Sequence, residues 1–528
     1  MTRKDFLRLL SAAGLYGTSG LGHAQTSRDD NASKGASAAS SKVAAAGSRK
    51  DCPNVLIIMT DQHRSNYMGA AGWTMVPTPN IDRIATRGVR FPNAICPYPV
   101  CAASRMSLLT GKYAHTTGVI DNTDLLAWNE PTMASHFAEH GYHTGLIGKM
   151  HFNDGHKHGF QYFLGFNDWM MYLGPKVPAF ANMIANNTFP VFFETVNDDG
   201  AGLPELPGVW GSKKPWAGHV KPIGFSSPFE DTEDEFDSFV ARETCRFLER
   251  YKGDDAPFLL VSSFLRPHPP LHPPKEWAER YPVESMKMPD PGDGSSYPRW
   301  IQDRIASYVA LGKDRLLSHR AGYLGNLGFV DGCIGRVYQT LERLGLDKNT
   351  IVIYTADHGE MEGDHGLLDK FCLFNPSVGV PLIVSYPGNL PEGKVSDALV
   401  EYFGILPTMA ELTGTPKPEG IDALSFASLV REPDAAGPEA IFSEFALRSN
   451  KDCYMVRTKR YKYNYNHDDI PELYDLDSDP HETVNRSADP SLAKVRKELH
   501  ERLLAWYDPA GNPYRGKRGA NTYRNTHT

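Results

Sequence analysis

Four short runs of consecutive apolar residues most limit how this 528-residue chain can fold. Runs of this kind are typical of strands that are buried on both faces in a parallel sheet. Stretches with helical spacing lie between them, and strands that alternate with helices predict a doubly wound α/β domain around a large, mixed sheet. The runs are Val55–Met59, Phe258–Val261, Ile351–Tyr354 and Pro381–Val384.

Three of the intervening stretches have clear helical signals. Thr78–Ala85 has a capping residue and a proline at the first helical position, and Gly88 supplies a stop. Pro131–His140 ends at a glycine in the same way. The apolar residues of Phe236–Tyr251 form one helical stripe. These stretches are predicted to cover the faces of the sheet.

The N-terminus has the features of an export signal. Arg3, Lys4 and Arg8 precede the apolar stretch Leu9–Leu15, and a small-residue cleavage site ends at Ala24. The segment also resembles a twin-arginine signal in which Lys4 replaces the second arginine, so both the Sec and the Tat route remain open. We therefore predict a signal peptide over residues 1–24 and a periplasmic or secreted protein. No later run approaches the ~20 apolar residues that span a membrane.

The composition changes twice along the rest of the chain. Residues 25–50 are rich in Ala, Ser, Gly and Lys, which predicts a flexible linker. After about residue 430, Lys459–Tyr465 and Glu472–Leu476 have the pattern of antiparallel strands, and Leu492–Trp506 that of a closing helix. We predict a catalytic domain over residues 51–430 and a smaller antiparallel sheet-plus-helix domain over 431–528.

Charge and cysteine usage exclude several classes of protein. The net charge is −8 with no face-sized basic run, which argues against a nucleic-acid partner. The seven cysteines lack CxxC spacing, so zinc ribbons and thioredoxin-like redox motifs are excluded. Their odd number leaves at least one unpaired sulfur in an exported protein.

Polar pairs follow two of the predicted strands. Asp61 and Gln62 come after the first strand, and Asp357 and His358 come after the strand at 351–354. Because loops beyond the carboxyl ends of strands build the active site of an open α/β sheet, these four side chains are expected to converge. Their oxygen atoms favour Ca²⁺ or Mg²⁺, and the histidine leaves Mn²⁺ open.

Cys101 lies in Pro99–Lys112, at the start of a segment with helical character. Backbone N–H groups and the helix dipole favour an anion at such a position. Arg105, one turn further on, adds a cation that can bind two oxyanion oxygens. The alternative is a cysteine that only fills space in the core.

These residues carry a resemblance to a known family. Cys-x-Ala-x-Arg followed by Leu-Leu-Thr-Gly resembles the signature of the type I, formylglycine-dependent sulfatases of the alkaline phosphatase superfamily. The resemblance extends from about residue 52 to residue 510. Its other ordered segments are Asn54–Gln62, Gly148–His151, Arg266–Pro270, Asp357–Glu360 with Lys370 beyond it, and Glu472–Leu476 with Asp479–Glu482.

The resemblance implies an alkaline-phosphatase-like fold and a modified nucleophile. Cys101 is expected to be oxidised to formylglycine (3-oxoalanine) by a formylglycine-generating enzyme. One hydroxyl of the formylglycine hydrate then attacks the sulfur of a sulfate monoester. Elimination from the second hydroxyl releases sulfate without hydrolysis of a stable ester. The implied metal ligands are Asp61, Gln62, modified Cys101, Asp357 and His358.

The remaining roles also come from the resemblance. Arg105, Lys149 and Lys370 are expected to neutralise the sulfuryl oxygens. His268 protonates the leaving alcohol with help from Lys370, and His151 takes the proton of the second hydroxyl.

The sequence differs from the family pattern at two positions, and three further residues belong to the predicted site. Many family members have Asp in place of Gln62 and Asn in place of His358, and this change lowers the negative charge of the site. In these two residues the site resembles that of relatives that cleave choline sulfate, or phosphonate and phosphate esters. His63 and Arg64 are candidate substrate contacts or loop residues. His115 either orients the formylglycine or is structural.

The leading functional hypothesis is a sulfuric ester hydrolase that acts on a sulfated oligo- or polysaccharide, such as an algal polysaccharide or a glycosaminoglycan. Aromatic residues between Phe160 and Trp216 are candidate sugar subsites or core residues: Trp169, Tyr172, Trp210 and Trp216. One alternative is a phosphonate, phosphate or choline-sulfate ester hydrolase on the same scaffold. Another is a non-catalytic protein that binds sulfated glycans.

Overall fold

The computed structural model describes residues 52–517, apart from 175, 177–226, 228, 253–255, 290 and 292–293. The described residues belong to one compact unit, Ser48–Thr528. The predicted signal peptide and linker lie outside the described residues, as do Trp210 and Trp216.

Fourteen strands are found in the described part of the chain. Several begin or end within two residues of the apolar or alternating runs in the sequence. In chain order they are β1 (Asn54–Asp61), β2 (Gly88–Arg90), β3 (Ala94–Ile95), β4 (His143–Gly148), β5 (Tyr162–Leu164), β6 (Phe258–Pro267), β7 (Thr350–Ala356), β8 (Leu382–Ser385), β9 (Lys394–Val395), β10 (Val400–Glu401), β11 (Ile441–Phe445), β12 (Cys453–Arg457), β13 (Tyr461–Asn466) and β14 (Glu472–Asp475).

The strands form one large and two small sheets. The large sheet has the order β5-β4-β6-β1-β7-β8-β2-β9. Its first five strands are parallel, β8 runs antiparallel to both β7 and β2, and β9 is parallel to β2. The small sheets are the pair β10-β3 and the antiparallel sheet β11-β12-β13-β14. The predicted mixed sheet and the separate C-terminal antiparallel sheet are both confirmed.

Helices connect and cover the strands. The predicted stretches at 78–85, 131–140 and 236–251 are each helical, and Thr132 caps the second one with a reciprocal hydrogen-bond pair to Ser135. The α-helices are Pro79–Thr86, Cys101–Thr110, Ala114–Thr117, Met133–Glu139, Phe166–Leu173, Phe236–Tyr251, Lys275–Arg280, Arg299–Val309, Lys313–Arg343, Asn375–Val378, Ile405–Thr413, Ala427–Arg431 and Ala493–Trp506.

Both faces of the large sheet are buried. In β1, Val55 and Ile57 contribute to one hydrophobic core, and Leu56 and Ile58 contribute to the core on the opposite face. Side chains that alternate along a strand point to opposite faces, so a continuous apolar run is needed where both faces are covered. The helix that starts at Cys101 packs in the first core.

Two local predictions are wrong in detail. The run at 381–384 forms the buried strand β8, but it is antiparallel to its neighbours because an apolar run reflects burial and not strand direction. Gly88 begins β2 and does not end the preceding helix, which ends at Thr86. A Cβ at Gly88 would lie 2.4 Å from the carbonyl oxygen of Val384, so close strand packing requires glycine there.

The small C-terminal sheet packs against the segment that carries Cys101. Val100 and Ala103 share a hydrophobic core with Leu447 of the preceding loop and with Tyr454 of β12. The helix Ala493–Trp506 covers this sheet and adds Leu503 to the same core. The sheet therefore supports the start of the helix that places the predicted nucleophile. The domain boundary at residue 430 stays a prediction.

Within the described residues, no helix is both long enough and apolar enough to cross a membrane. All seven cysteines are described, and none of them forms a disulfide.

Candidate active site

Four adjacent parallel strands, β4, β6, β1 and β7, end at one edge of the large sheet and carry the predicted site residues. Asp61 is the last residue of β1, and Lys149 directly follows β4. His268 follows β6, and Asp357 and His358 follow β7. Parallel strands bring their carboxyl ends together, so residues far apart in sequence meet here.

Cys101 lies among the candidate metal ligands. Its Sγ is 3.2 Å from His358 Nε2 and 3.8 Å from Asp61 Oδ1. One ligand atom from each of Asp61, Cys101, Asp357 and His358 lies within 4.8 Å of the others, and all four residues are buried. His358 Nδ1 donates to the carbonyl oxygen of Gly359, which leaves the Nε2 lone pair directed at this cluster. Two carboxylates and an oriented imidazole fit a divalent cation.

The thiol of Cys101 is neutral in this environment. Burial, and next the negative charge of Asp61, raise the pKa of Cys101 to about 12. A cysteine acts as a nucleophile through its thiolate, so the unmodified residue is held in its unreactive form. The N–H of Ala102, at the same helix start, donates to Asn122 Oδ1 and is therefore already used.

Arg105 contacts both candidate metal-binding carboxylates. Its side chain is fully buried, and four of its five N–H groups have partners inside the protein. Nε donates to Asp357 Oδ2 at 2.7 Å, and Nη2 donates to Asp61 Oδ2 at 2.8 Å. The guanidinium thus holds the two carboxylates in position, and its contact with a sulfuryl group stays a prediction.

Asp61 is the charge centre of the cluster. Lys149 Nζ lies 2.8 Å from Asp61 Oδ2, next to the Arg105 contact. Burial by itself would raise the pKa of Asp61, but the charges of Lys149, His268 and Arg105 outweigh it and hold the pKa well below its usual range. Asp61 is therefore ionised, as a metal ligand has to be.

His268 and Lys370 form a pair beside Asp61. His268 Nδ1 donates to the carbonyl oxygen of Pro269 at 2.6 Å, so Nε2 is the nitrogen that is free to exchange a proton. That Nε2 lies 3.3 Å from Lys370 Nζ and 3.8 Å from Asp61 Oδ1. Burial, and next the charge of Lys149, lower the pKa of His268 well below its usual value.

Gln62 lies between other side chains, and its role as a metal ligand stays a prediction. Its amide oxygen accepts a hydrogen bond from Lys370 Nζ at 2.8 Å, and its amide nitrogen donates to Glu360 and, at 3.3 Å, to Asp369. The ammonium on one side and the carboxylates on the other determine this amide orientation. Gln62 thus positions Lys370, while its backbone N–H donates to Asp357.

His151 is buried, and neither ring nitrogen has a hydrogen-bond partner in the described structure. Burial, and next the positive charge of Lys149, lower the pKa of His151 well below its usual value. Buried polar atoms are rarely left without partners, so these nitrogens are suited to a bound molecule. The residue has a positive φ of 68°, directly after the Gly148–Lys149–Met150 turn.

His63, Arg64 and His115 each have partners within the protein. His63 is fully buried, with one ring nitrogen 2.7 Å from the hydroxyl of Tyr354 and the other 2.9 Å from the carbonyl oxygen of Tyr67, which favours a structural role over the alternative of a substrate contact. Arg64 pairs with Asp364 at 2.5 Å. His115 Nδ1 lies 2.8 Å from Glu444 in β11, which supports the structural alternative for this histidine.

Several residues of the site had no individual signal in the sequence. Ser263 in β6 accepts a hydrogen bond from Arg105, and Glu360 accepts from Gln62. Burial, and next the charge of Asp369, raise the pKa of Glu360 to about 7. The position of Glu360 in the Asp-His-Gly-Glu segment was the only available indication of its importance.

A cavity of about 320 Å³ opens beside the cluster. Lys149, His151, His156 and Lys157 line it together with apolar residues that include Phe163 and Phe166. This size is in the range of small-molecule sites, and an apolar lining with a few polar and basic groups is typical of them.

Two aromatic residues that were candidate sugar subsites lie elsewhere. Trp169 is buried and donates to the carbonyl oxygen of Asp234, and the Tyr172 hydroxyl donates to the Asp234 side chain. These two rings belong to the packing of helix Phe166–Leu173.

Comparisons with known proteins agree on one family. A sulfatase family model matches residues 53–415, and a model of the N-sulphoglucosamine sulphohydrolase C-terminal region matches residues 363–508. An arylsulfatase of Clostridium perfringens is 30% identical over 445 residues, which cover 82% of this chain and 90% of the relative. An ulvan-active sulfatase of Formosa agariphila is 28% identical over 478 residues, which cover 88% of this chain and 83% of the relative.

A solved structure supports the same conclusion at the level of the fold. The phosphonate monoester hydrolase of Agrobacterium radiobacter is similar with a TM-score of 0.68 at 24% identity, over 86% of this chain and 95% of that one. The family match spans well over half of the chain and includes every residue of the cluster around Cys101. The chain belongs to the sulfatase family.

Proposed function

We propose that the chain hydrolyses sulfate monoesters of a sulfated carbohydrate through a formylglycine made from Cys101. The observation that carries this proposal is the position of the Cys101 side chain, 3.2 Å from His358 and 3.8 Å from Asp61, on a helix start at the edge where four strands end. A nucleophile at this point lies within reach of both a cation and the basic cavity next to it.

Asp61, Asp357 and His358 would hold the divalent cation, for which we propose Ca²⁺. Such a cation polarises an ester oxygen and lowers the pKa of a neighbouring hydroxyl. The hydrate of formylglycine supplies that hydroxyl. Arg105 keeps both carboxylates in place, so the ligand set is organised before the cation binds.

The other residues bind the sulfate group and move protons. Lys149 and Lys370 face the cluster with ammonium groups that neutralise developing charge on the sulfuryl oxygens. The Lys370 ammonium, 3.3 Å away, gives a proton to His268 Nε2, which passes it to the leaving alcohol. His151, whose ring nitrogens have no partner in the described structure, takes the proton of the remaining hydroxyl.

The cavity beside Lys149 supports a carbohydrate as the substrate. Its volume of about 320 Å³ accommodates a sugar unit, and Lys157 and His156 provide positive or hydrogen-bonding groups for an acidic sugar. The ulvan-active relative acts, by its name, on a sulfated polysaccharide. Export from the cytoplasm, proposed from the N-terminal signal, would bring the enzyme to such polymers.

The test begins with the nucleophile. The full chain is produced together with a formylglycine-generating enzyme, and the peptide that spans Cys101 is analysed by mass spectrometry. We expect an aldehyde in place of the thiol, and turnover of an aryl sulfate only by the modified protein. A Cys101→Ser variant is the matched control and should be inactive. Full activity of protein that retains the thiol would contradict the proposal.

The alternative substrate class is a phosphonate or phosphate ester. It is supported by the combination of Gln62 and His358, which makes the site less acidic than in many family members, and the fold is also that of a phosphonate monoester hydrolase. Rates on matched aryl sulfate, aryl phosphate and phosphonate monoesters decide between them. A kcat/KM that is highest for sulfate supports the proposal, and a preference for either phosphorus ester contradicts it.

A further inference from the structure

A second cavity, of about 180 Å³, lies where the two larger sheets meet. None of the residues that line it belongs to the cluster around Cys101 or to the cavity beside Lys149. The loop after β1, the helix Asn375–Val378, the end of β12 and the loop after β14 all contribute to it. We name it the Arg457 cavity; its polar lining residues are the ion pair of Arg64 and Asp364 together with Ser65, Asn66, Asn375, Arg457 and His481.

Arg457 is a nearly buried cation without an acidic partner. Arg457 is 9% exposed. Among the described residues, no carboxylate oxygen lies within 4.0 Å of its guanidinium nitrogens. Nη2 donates to the amide oxygen of Asn93 at 2.8 Å, but the buried Nε has no partner in the described structure. Burying an unpaired charge is costly, so an arginine in this state is suited to an anion that is not part of the chain.

The neighbouring charges do not neutralise Arg457. Arg64 is paired with Asp364 at 2.5 Å, so this pair has no net charge. Lys462 and Glu482, both fully buried, are also paired at 2.5 Å. Burial lowers the pKa of Arg457, and the more distant Glu482 only partly opposes this effect. The cavity therefore keeps one uncompensated positive charge.

We propose that the Arg457 cavity binds a small tetrahedral oxyanion, sulfate or phosphate. Arg457 lines the cavity and supplies the charge, and its planar guanidinium fork matches two oxygens of such an anion. The side chains of Ser65, Asn66 and Asn375 line the same space and add hydroxyl and amide groups. His481 and Asn66 are exposed at the rim, so a sulfate group on a larger molecule can also enter. The proposal does not depend on which ester the active site hydrolyses.

Crystals of the full chain soaked in sodium selenate provide the direct test, because selenium is located by its anomalous signal. We expect a selenium peak within hydrogen-bonding distance of Arg457 in the native chain. Arg457→Gln should lose this peak and keep any peak near Cys101. Lys459→Gln, which removes an exposed charge two residues away, is the control and should keep both. A native cavity that stays empty while the Cys101 cluster is filled would overturn the proposal, as would a peak that persists in Arg457→Gln.

Melting temperatures in solution identify the source of the anion. Two chains are compared, Cys101→Ser and the same chain with Arg457→Gln added. For each, the melting temperature in sodium sulfate is compared with that in sodium chloride at equal ionic strength. Sulfate should raise the melting temperature more in the chain that retains Arg457. In chloride alone the derivative should be at least as stable, because the unpaired charge is gone. A response to inorganic sulfate indicates a free anion, and a response to glucose 6-sulfate indicates a substrate group. Equal responses of both chains to both compounds would refute the site.

Discussion

At the scale of single residues, Arg105 shows how a charged side chain can serve a site without contact with solvent. Its Nε and Nη2 hold Asp357 and Asp61, and its Nη1 holds the carbonyl oxygen of Lys149. Burial by itself would lower the pKa of Arg105, but the charges of Asp357 and Asp61 raise it above its usual value. The guanidinium is therefore a permanent cation that fixes three parts of the site relative to one another.

We expect Arg105→Lys to weaken metal binding about 10- to 100-fold, because an ammonium group cannot hold both carboxylates in the same geometry. Metal content after dialysis against a series of free-calcium concentrations measures this effect. Arg460→Lys, which alters the ion pair between this partly exposed arginine and the buried Asp475, is the control and should bind metal normally. Unchanged metal affinity in Arg105→Lys would show that the carboxylates do not need this arginine.

Substitution of His151 is expected to lower activity, and substitution of His115 is expected to lower stability. His151→Gln should lower kcat by about 100-fold or more, because general acid–base catalysis contributes at least that much. Its unfolding midpoint should change little, since no hydrogen bond of the ring nitrogens is lost. His115→Gln should lower the unfolding midpoint, because it breaks the contact with Glu444, and leave kcat near the native value. Activity assays and urea unfolding of both variants measure these effects. A destabilised His151→Gln variant with native kcat would contradict the assignment.

At the scale of elements, the long helix Lys313–Arg343 is tied to the loop that follows β7. His319 Nδ1 lies 3.1 Å from Glu362 Oε1, and Arg320 lies 3.2 Å from the other oxygen of Glu362. Burial by itself would lower the pKa of His319, but the hydrogen bond to Glu362 and the charges of Glu360 and Glu362 raise it to about 9. The loop that leads to Lys370 is therefore held by a charged histidine.

This contact predicts a pH dependence of stability. The folded pKa of His319 is above the unfolded value of 6.5, so its stabilisation is complete below pH 6.5 and is lost as the pH rises towards 9. The unfolding free energy of the native chain should exceed that of His319→Gln by about 3 kcal/mol at pH 6, and this difference should shrink by pH 9.5. Urea unfolding across this range measures it. A difference that is constant with pH would mean that the histidine acts only by packing.

Close packing of β4 against β6 requires glycine at the end of β4. Gly148 has a φ of 112°, and a Cβ there would lie 1.8 Å from the carbonyl oxygen of Ser263. Lys149 follows directly and contacts Asp61, so the backbone at this position, which only glycine adopts readily, immediately precedes the lysine for which we propose a catalytic role.

At the scale of the whole molecule, the large sheet and the C-terminal sheet depend on each other. Val100 and Ala103 lie in the core of the small sheet, and His115 is held by Glu444 of β11. The Arg457 cavity is lined from both parts of the chain. The helix that starts at Cys101 therefore packs on residues that come more than 300 positions later in the sequence.

We expect a chain that ends at residue 430 to be insoluble or to melt at a much lower temperature, because it exposes the apolar side chains of this shared core. A chain that ends at residue 517 is the control and should behave as the full chain does. Expression, gel filtration and thermal unfolding compare them. A soluble, active 51–430 fragment would show that the two predicted domains are independent.

Much of the fold could be predicted from local patterns. The run Val55–Met59 predicted a strand covered on both faces, and the alternation of strands and helices predicted the mixed sheet. The direction of β8 could not be predicted, because its apolar run is the same for either direction. The chain positions of Asp61 and Asp357 beyond their strands predicted that they would meet, since β1 and β7 pair side by side.

The sequence by itself determined which residue types reach the edge of the sheet, because strand ends, helix starts and family motifs are local features of the chain. Only the tertiary structure decided what each of them contacts. Arg105 turns to Asp357, 252 residues away, and Gln62 joins Lys370 to Glu360, about 300 residues away. Burial in a dense interior leaves each polar group few partners, and those partners are set by how distant segments pack.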